Sequence, residues 1–169
     1  MSSEATSTDI RHAIRRANQD DADVLSLVGD RLELTDTSGR TPLFHAVLAG
    51  RDSLIQKLIA KGASPSHRDF ERRSPLHFAV QERGIAAAKL LLKAGAPVDA
   101  KDEDGNTPLW GAVMQFRGFK EMIDLLLDFG ASPDSKNIYD KSPRDLALSM
   151  KTGEVGSWLD RDTANPPKP

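Results

Sequence analysis

A four-residue pattern recurs along this chain at a fixed interval, and this periodicity constrains the fold more than any other feature of the sequence. Residues 41–44 read Thr-Pro-Leu-Phe, residues 74–77 Ser-Pro-Leu-His and residues 107–110 Thr-Pro-Leu-Trp, at intervals of 33 residues. Residues 142–145, Ser-Pro-Arg-Asp, follow after 35 residues. A repeat of this length buries its apolar face only by stacking on its neighbours. The chain is therefore expected to fold as a stack of similar units.

Each unit contains the start and end signals of two helices. A Ser or Thr before a Pro favours a helix start, because the hydroxyl accepts a backbone hydrogen bond and the proline presets φ. The first helices are predicted to begin at Pro42, Pro75, Pro108 and Pro143. The second helices carry leucine clusters, and each is predicted to end at a glycine that forms a left-handed cap. These glycines are Gly62, Gly95 and Gly130.

The 33-residue period, with Thr-Pro-Leu-His at the first helix and Leu-Leu-x-x-Gly-Ala at the end of the second, resembles the ankyrin repeat. The resemblance implies an all-α solenoid of stacked helix pairs with projecting β-hairpin turns. Residues 1–161 would form a single domain, followed by a disordered tail at 162–169. Within the domain, 36–68, 69–101 and 102–136 correspond to full repeats, 3–35 to an N-terminal capping repeat and 137–161 to a C-terminal capping repeat.

Besides Arg144, which replaces the leucine of the motif in the last repeat, the chain departs from the repeat pattern at two loops. Arg72 stands where the other full repeats have Gly39 and Gly105, so the second hairpin is expected to be tighter or differently turned. Two extra residues within 115–119 lengthen the loop between the two helices of the third full repeat. Neither departure changes the predicted fold.

The residue types that carry most enzymatic and metal chemistry do not form a site in this sequence. The chain has no cysteine, which excludes disulfides, thiolate nucleophiles and cysteine-ligated metals. Its four histidines lack metal-binding spacing, and His77 is expected to hydrogen-bond within the turn before its helix. Residues 102–104 are all acidic but lack the spacing of a calcium loop. We expect a non-enzymatic protein with no catalytic residue, no cofactor and no metal.

Charge and hydropathy exclude two further classes of partner. The formal net charge is -2 and the isoelectric point is near 6.1, which argues against binding to nucleic acid or an anionic membrane surface. No apolar stretch approaches the about 20 residues that a membrane helix requires. Residues 1–9 lack the basic and apolar regions of a signal peptide, so a cytoplasmic location is expected.

The resemblance implies a protein-binding scaffold that uses its hairpin tips and the concave face formed by the first helices. Phe70, Ile138 and Tyr139 fall at predicted tips, where the repeat does not require a large apolar side chain. Each tip could instead pack against the neighbouring hairpin, and Trp110 could fill space between repeats. The full set of predicted partner-binding residues is Phe70, Arg73, Gln81, Glu82, Glu103, Trp110, Met114, Gln115, Ile138, Tyr139 and Lys141.

Two roles are compatible with such a surface. The chain could act as an adaptor or scaffold that binds a partner protein. Alternatively, it could inhibit a toxin or enzyme by occlusion, since small bacterial ankyrin proteins that resemble it include immunity proteins against antibacterial toxins. The fold alone does not decide between these roles. The free chain is expected to be monomeric.

Overall fold

The computed structural model describes residues 6–16, 20–115, 120–150 and 154–159, and these residues form ten α-helices without a β-strand. Most of the lengthened loop, 116–119, and the predicted tail, 162–169, lie outside the described residues. The helices are α1 (Ser7–Arg15), α2 (Asp21–Val28), α3 (Pro42–Leu48), α4 (Asp52–Ala60), α5 (Pro75–Gln81), α6 (Ile85–Lys93), α7 (Pro108–Met114), α8 (Lys120–Asp128), α9 (Pro143–Ser149) and α10 (Glu154–Leu159).

The first helices α3, α5, α7 and α9 begin at the four predicted prolines. Ser142 completes a capping box, because its hydroxyl accepts the Asp145 N–H at 3.1 Å and its own N–H donates to Asp145 Oδ2 at 2.9 Å. His77 takes the same position in its repeat, and its Nδ1 accepts a hydrogen bond of 3.1 Å from the Ser74 N–H. The helix starts are as predicted, although the Thr41 hydroxyl forms no cap hydrogen bond and the start of α3 rests on its proline.

The second helices α4, α6 and α8 each end two residues before a glycine. Gly62, Gly95 and Gly130 have φ values of 100°, 87° and 86°, so all three adopt the left-handed conformation of a C-terminal cap. The alanine after each glycine donates its N–H to a leucine carbonyl of the preceding helix at 2.9–3.0 Å. The predicted helix ends are confirmed.

The prediction that the second hairpin turns differently is wrong. Arg72 has a φ of 60°, near the 78° of Gly39 and the 76° of Gly105. The Arg72 N–H donates to the Asp69 carbonyl at 2.9 Å, as the two glycines do to their own aspartates. A non-glycine residue in this conformation costs about 1–2 kcal/mol, and the hydrogen bonds that surround the turn hold it there.

The hairpins that the resemblance implies form without strands in the described residues. Each is a tight turn in which an Asp or Asn side chain accepts backbone N–H bonds. Asp69 Oδ1 accepts from the Glu71 and Arg73 N–H groups at 3.1 and 2.9 Å. Asn137 Oδ1 accepts from the Tyr139 and Lys141 N–H groups at 3.0 and 3.1 Å. The turns keep a hairpin shape through these local bonds.

Stacking of equivalent helices forms one continuous core. Helix α3 packs against α1 and α5, and α7 packs against α5 and α9, while α4, α6 and α8 form a second layer behind them. The alanine that recurs in the first helix is buried in every repeat, as Ala46, Ala79, Ala112 and Ala147. Small side chains at this position let neighbouring helices approach closely. Of the predicted core leucines, Leu90 and Leu125 are only partly buried.

Candidate functional site: the hairpin tips and the adjacent groove

Successive hairpin tips are joined by backbone hydrogen bonds into a continuous row. The Phe70 N–H donates to the Ser38 carbonyl, the Glu103 N–H to Glu71 and the Ile138 N–H to Asp104, each at 3.0 Å. One bond per repeat fixes the spacing between neighbouring tips. The tip side chains are therefore held on a rigid backbone.

Three large apolar side chains at the tips are exposed. Phe70 is 74% exposed, Ile138 64% and Tyr139 67%. The Phe70 ring also lies close to the preceding hairpin, since a Cβ at Gly39 would lie only 2.7 Å from Phe70 Cδ1. Phe70 therefore packs one part of its ring on the neighbouring hairpin and presents most of its surface to solvent.

Five predicted residues lie around one pocket of about 270 Å³ in the groove between the hairpins and the first helices. We call it the central pocket. It lies between α5 and α7, and Gly111 leaves space there because it has no side chain. Trp110 is half-buried and Met114 is 57% exposed. The predicted residues at this pocket are Arg73, Gln81, Trp110, Met114 and Gln115.

His77 forms one wall of the central pocket and plays the structural role that the sequence predicts. Because its Nδ1 accepts from the Ser74 N–H, its Nε2 carries the proton and donates to the Asn106 carbonyl at 3.2 Å. Burial lowers the pKa of His77. The ring is therefore neutral near pH 7 and links two adjacent repeats.

Arg73 is bound within the chain rather than projecting freely from its tip. Its guanidinium contacts the buried Asp69 carboxylate at 3.2 Å and the Glu71 carboxylate at 2.9 Å. It also lies 4.7 Å from the centre of the Phe78 ring, and Arg40 lies 4.8 Å from the same ring. Arg73 therefore contributes mainly to the turn and the first helix of its own repeat.

The remaining predicted residues lie outside the central pocket. Glu82 accepts a hydrogen bond from the Gln81 amide at 3.3 Å. Glu103 and Ile138 line a shallower pocket of about 260 Å³ between the last two hairpins. Tyr139 and Lys141 are exposed on the last hairpin. The structure thus divides the predicted surface into a groove part and a tip part.

A further pocket of about 510 Å³, which the sequence did not predict, lies between α1, α3 and the first hairpin. We call it the first pocket. Arg11 and Arg15 of α1 line it, together with Arg40, Arg51, His45 and Asp36. The signal was present, because Ala13 precedes Ala46 by 33 residues and the same register aligns Arg15 with Leu48 and Gln81.

Leu148 is a further exposed apolar residue that the sequence did not indicate, and it is 70% exposed. It occupies the same position in α9 as Val47, Val80 and Val113 in the earlier first helices, and all three valines are buried. Those valines are covered by the next repeat. Leu148 therefore faces along the stack, away from the tips.

Other classes of site are not found in the described residues. They contain no group of three or more His, Cys, Asp or Glu side chains that could hold a metal ion. None of the described helices is long and apolar enough to cross a membrane. The side chain of Asp102, which the sequence places in an acidic run, accepts the Asn106 N–H at 2.8 Å and serves the turn.

The fold and the row of hairpins define a repeat protein, and comparison with known families identifies which one. A family model described as ankyrin repeats, in three copies, matches residues 10–102 and 54–137. The chain belongs to the ankyrin-repeat family. Repeats of this family generally mediate protein–protein interaction.

Several curated proteins share this region with the chain. The potassium channel GORK of Arabidopsis thaliana is 38% identical over 104 residues, which cover 62% of this chain and 12% of the channel. NF-kappa-B inhibitor delta of Mus musculus is 30% identical over 128 residues, covering 64% of this chain and 39% of the inhibitor. Tyrosine-protein kinase HTK16 of Hydra vulgaris is 28% identical over 145 residues, covering 85% of this chain and 19% of the kinase. The chain spans less than half the length of each.

Proposed function

We propose that this protein binds a partner protein through its hairpin tips and the groove beside them. The observation that supports this most directly is the exposure of Phe70, Ile138 and Tyr139 on hairpins that hydrogen bonds hold in a row. Aromatic side chains lose little conformational entropy on binding and bury a large apolar area. A partner that covers these tips removes that area from water.

The central pocket supplies the second part of the binding surface. Trp110 and Met114 offer apolar contact, while the Gln81 and Gln115 amides offer hydrogen bonds. One apolar side chain of a partner, inserted between α5 and α7, would fill space that Gly111 leaves open. Phe70 and Tyr139 would then contact the partner on either side of the acidic tip formed by Glu103.

The double variant Phe70→Ala plus Tyr139→Ala tests the tip contribution. The partner is first isolated from source cells on immobilised wild-type chain, identified by mass spectrometry and purified. Isothermal titration calorimetry then compares the two chains. Truncation of interface hot spots costs about 2 kcal/mol or more, so the dissociation constant is expected to rise roughly thirtyfold.

Leu148→Ala is the matched control, because Leu148 is as exposed as the tip residues and faces away from them. It should leave the affinity unchanged. Thermal unfolding of all three chains separates binding from stability, and the double variant should unfold near the wild-type midpoint. If the double variant bound with wild-type affinity and Leu148→Ala lost affinity, the interface would lie at the end of the stack instead of at the tips.

Binding by occlusion is the second candidate role, in which the chain inhibits a toxin or enzyme. Its support is the similarity to a protein named as an NF-kappa-B inhibitor. An inhibitor should abolish its partner's activity at one equivalent, whereas an adaptor should bind two partners at once and leave activity unchanged. Titration of the purified partner's activity with the chain distinguishes the two.

We also propose that residues 1–161 act as one monomeric domain in the cytoplasm, with 3–35 and 137–161 as its capping repeats. The packing of α1 on α3 and of α10 on α8 and α9 supports a single stack. Limited proteolysis should leave a fragment ending near residue 161. Light scattering should give the mass of one chain, and a dimer would contradict this assignment.

A further inference from the structure

The first pocket and the central pocket are the same feature of the stack at two places. Each is formed by two neighbouring first helices and the hairpin that precedes the second of them. Their lining residues correspond at a separation of 66, which is two periods. The pairs are Arg11 and His77, Arg15 and Gln81, Asp36 and Asp102, Arg40 and Asn106, His45 and Gly111, and Leu48 and Met114. At three of these pairs, Arg11, Arg15 and Arg40 of the first pocket therefore correspond to the uncharged His77, Gln81 and Asn106 of the central pocket.

Two of the four arginines in the first pocket are already paired within the chain. Arg40 contacts Asp69 at 3.4 Å, and Arg51 binds Asp21 and the Ile14 carbonyl. Neither Arg11 nor Arg15 forms an ion pair within the described part of the chain. Arg11 Nε is buried and lacks a hydrogen-bond partner there. A buried donor without an acceptor is costly, so an acceptor drawn against the Arg11 guanidinium would offset that cost.

The neighbouring titratable groups also experience the positive charge. The pKa of His45 is lowered, first by burial and then by the charges of Arg11 and Arg40, although Asp36 at 3.1 Å opposes this. The Asp36 carboxylate accepts N–H bonds from Ser38 and Arg40 at 2.8 and 3.1 Å. Asp36 is thus committed to its turn and to His45, and it leaves Arg11 and Arg15 uncompensated.

We infer that the first pocket binds a single carboxylate, supplied by an aspartate or glutamate side chain of the partner protein. This rests on the proposed function and names the partner's chemistry at one end of the groove. Arg11 and Arg15 lie one helical turn apart on α1, and guanidinium groups bind carboxylates by paired hydrogen bonds. The half-buried Leu48 contributes apolar surface for the methylene groups beside the carboxylate.

An extended polyanion fits this surface poorly. Continuing along the groove, the positions after the first pocket carry Gln81 and Glu82, and the tips carry Glu71, Glu103 and Asp104. A nucleic-acid backbone needs positive charge at every phosphate it crosses. Basic side chains beyond the first pocket, such as Arg73, Lys101 and Lys136, are interspersed with these carboxylates, so the charge there is mixed. This distribution favours one isolated acidic side chain.

A peptide titration followed by NMR tests this inference. The probe is a blocked five-residue peptide with one central glutamate between leucines. A peptide with glutamine in its place is the matched control, and inorganic phosphate is the third probe. The readouts are the Arg11 Nε–H resonance and the titration of the His45 ring. We expect saturable change with the glutamate peptide alone, together with a raised pKa of His45.

Three single variants complete the design. Arg11→Gln and Arg15→Gln remove the two uncompensated charges, and each should weaken the glutamate peptide about tenfold, since charge-assisted bonds are the strong ones. Arg16→Gln removes the same charge one residue outside the pocket and should have little effect. Arg15 is exposed, so its variant tests the inference even if Arg11→Gln folds poorly.

Equal responses to the glutamate and glutamine peptides, or no response to either, would overturn the inference. Tighter binding of phosphate than of the glutamate peptide would also overturn it and indicate a phosphate site. These outcomes are separate from those of the tip variant. If the glutamate peptide does not bind, the proposed interface at the tips is not contradicted. If the tip variant keeps its affinity for the partner, the proposed carboxylate site is not contradicted.

Discussion

The two pockets of the groove are built from equivalent backbone elements and differ in the charge of the side chains that line them. The first pocket is lined by Arg11, Arg15 and His45, and the central pocket has His77, Gln81 and Gly111 at the equivalent positions. The helices, caps and hairpins around them correspond in sequence register, so the difference comes from the side chains at these equivalent positions. The repeat determines where pockets form, and the side chains at a few positions determine the charge and polarity of each pocket.

The junction where α3 packs against α5, between these two pockets, has a third kind of lining. Phe78 occupies the position of His45 and Gly111, and its ring packs against Phe44 with centroids 5.6 Å apart. Arg40 and Arg73 lie over the same ring. The middle junction is filled, while the junctions on either side remain open. The same position of the first helix therefore holds a histidine, a phenylalanine or a glycine at three successive junctions.

The largest effect is expected from Phe78→Ala, which would make the filled junction resemble the open one. Removing a fully packed ring costs about 3–5 kcal/mol of unfolding free energy, a large share of the total for a domain of this size. Urea denaturation measures it. Phe70→Ala, which removes the same ring from an exposed tip, should cost far less. Equal losses would mean that the middle junction is not specially packed.

An intermediate effect is expected from pH, because each pocket contains one histidine with a lowered pKa. Burial is the main cause for both His45 and His77. The unfolded chain binds protons more readily than the folded chain, so stability is full above about pH 6.5 and falls as pH decreases below it. The loss is at most about 1.4 kcal/mol per pH unit for each histidine.

His77→Asn separates the two histidines. Asparagine can accept the Ser74 N–H bond and does not titrate in this range. Urea unfolding at pH 7.5 and 5.5 should show a shallower loss of stability in this variant than in wild type. An unchanged pH dependence would assign the whole effect to His45 and the first pocket.

The smallest effect is expected from Gly111→Ala in the central pocket. Gly111 lies inside helix α7, and a Cβ there would meet Val80 Cγ1 at an ordinary distance of 3.6 Å. Alanine should stabilise the helix by about 0.5–1 kcal/mol. Gly39→Ala is the opposite case, because Gly39 has a φ of 78° and abuts the Phe70 ring. Destabilisation by Gly111→Ala would show that the open junction is strained.

Helix boundaries could be predicted from the sequence because local chemistry sets them. A proline begins each of α3, α5, α7 and α9, and a glycine with positive φ follows each of α4, α6 and α8. Both signals act on the backbone within a few residues. The exposed state of Phe70 and Tyr139 followed from the same register. These features require no knowledge of distant contacts.

The remaining features depend on side-chain contacts within and between repeats, which the period alone does not specify. Arg73 was predicted to face a partner, yet it binds Asp69 and covers Phe78. The turn that holds the left-handed Arg72 is bonded to its neighbours through Phe70 and Glu71. The first pocket was missed because α1 carries the repeat pattern only faintly, and its arginines were not aligned with the groove.

Hydrogen–deuterium exchange of the chain with and without its purified partner tests the central claim most directly. The account predicts slower exchange in residues 69–73, 102–106 and 137–141 and in helices α5 and α7, with no change in α4 and α6. Protection confined to the second helices, with the hairpins exchanging as in the free chain, would contradict it.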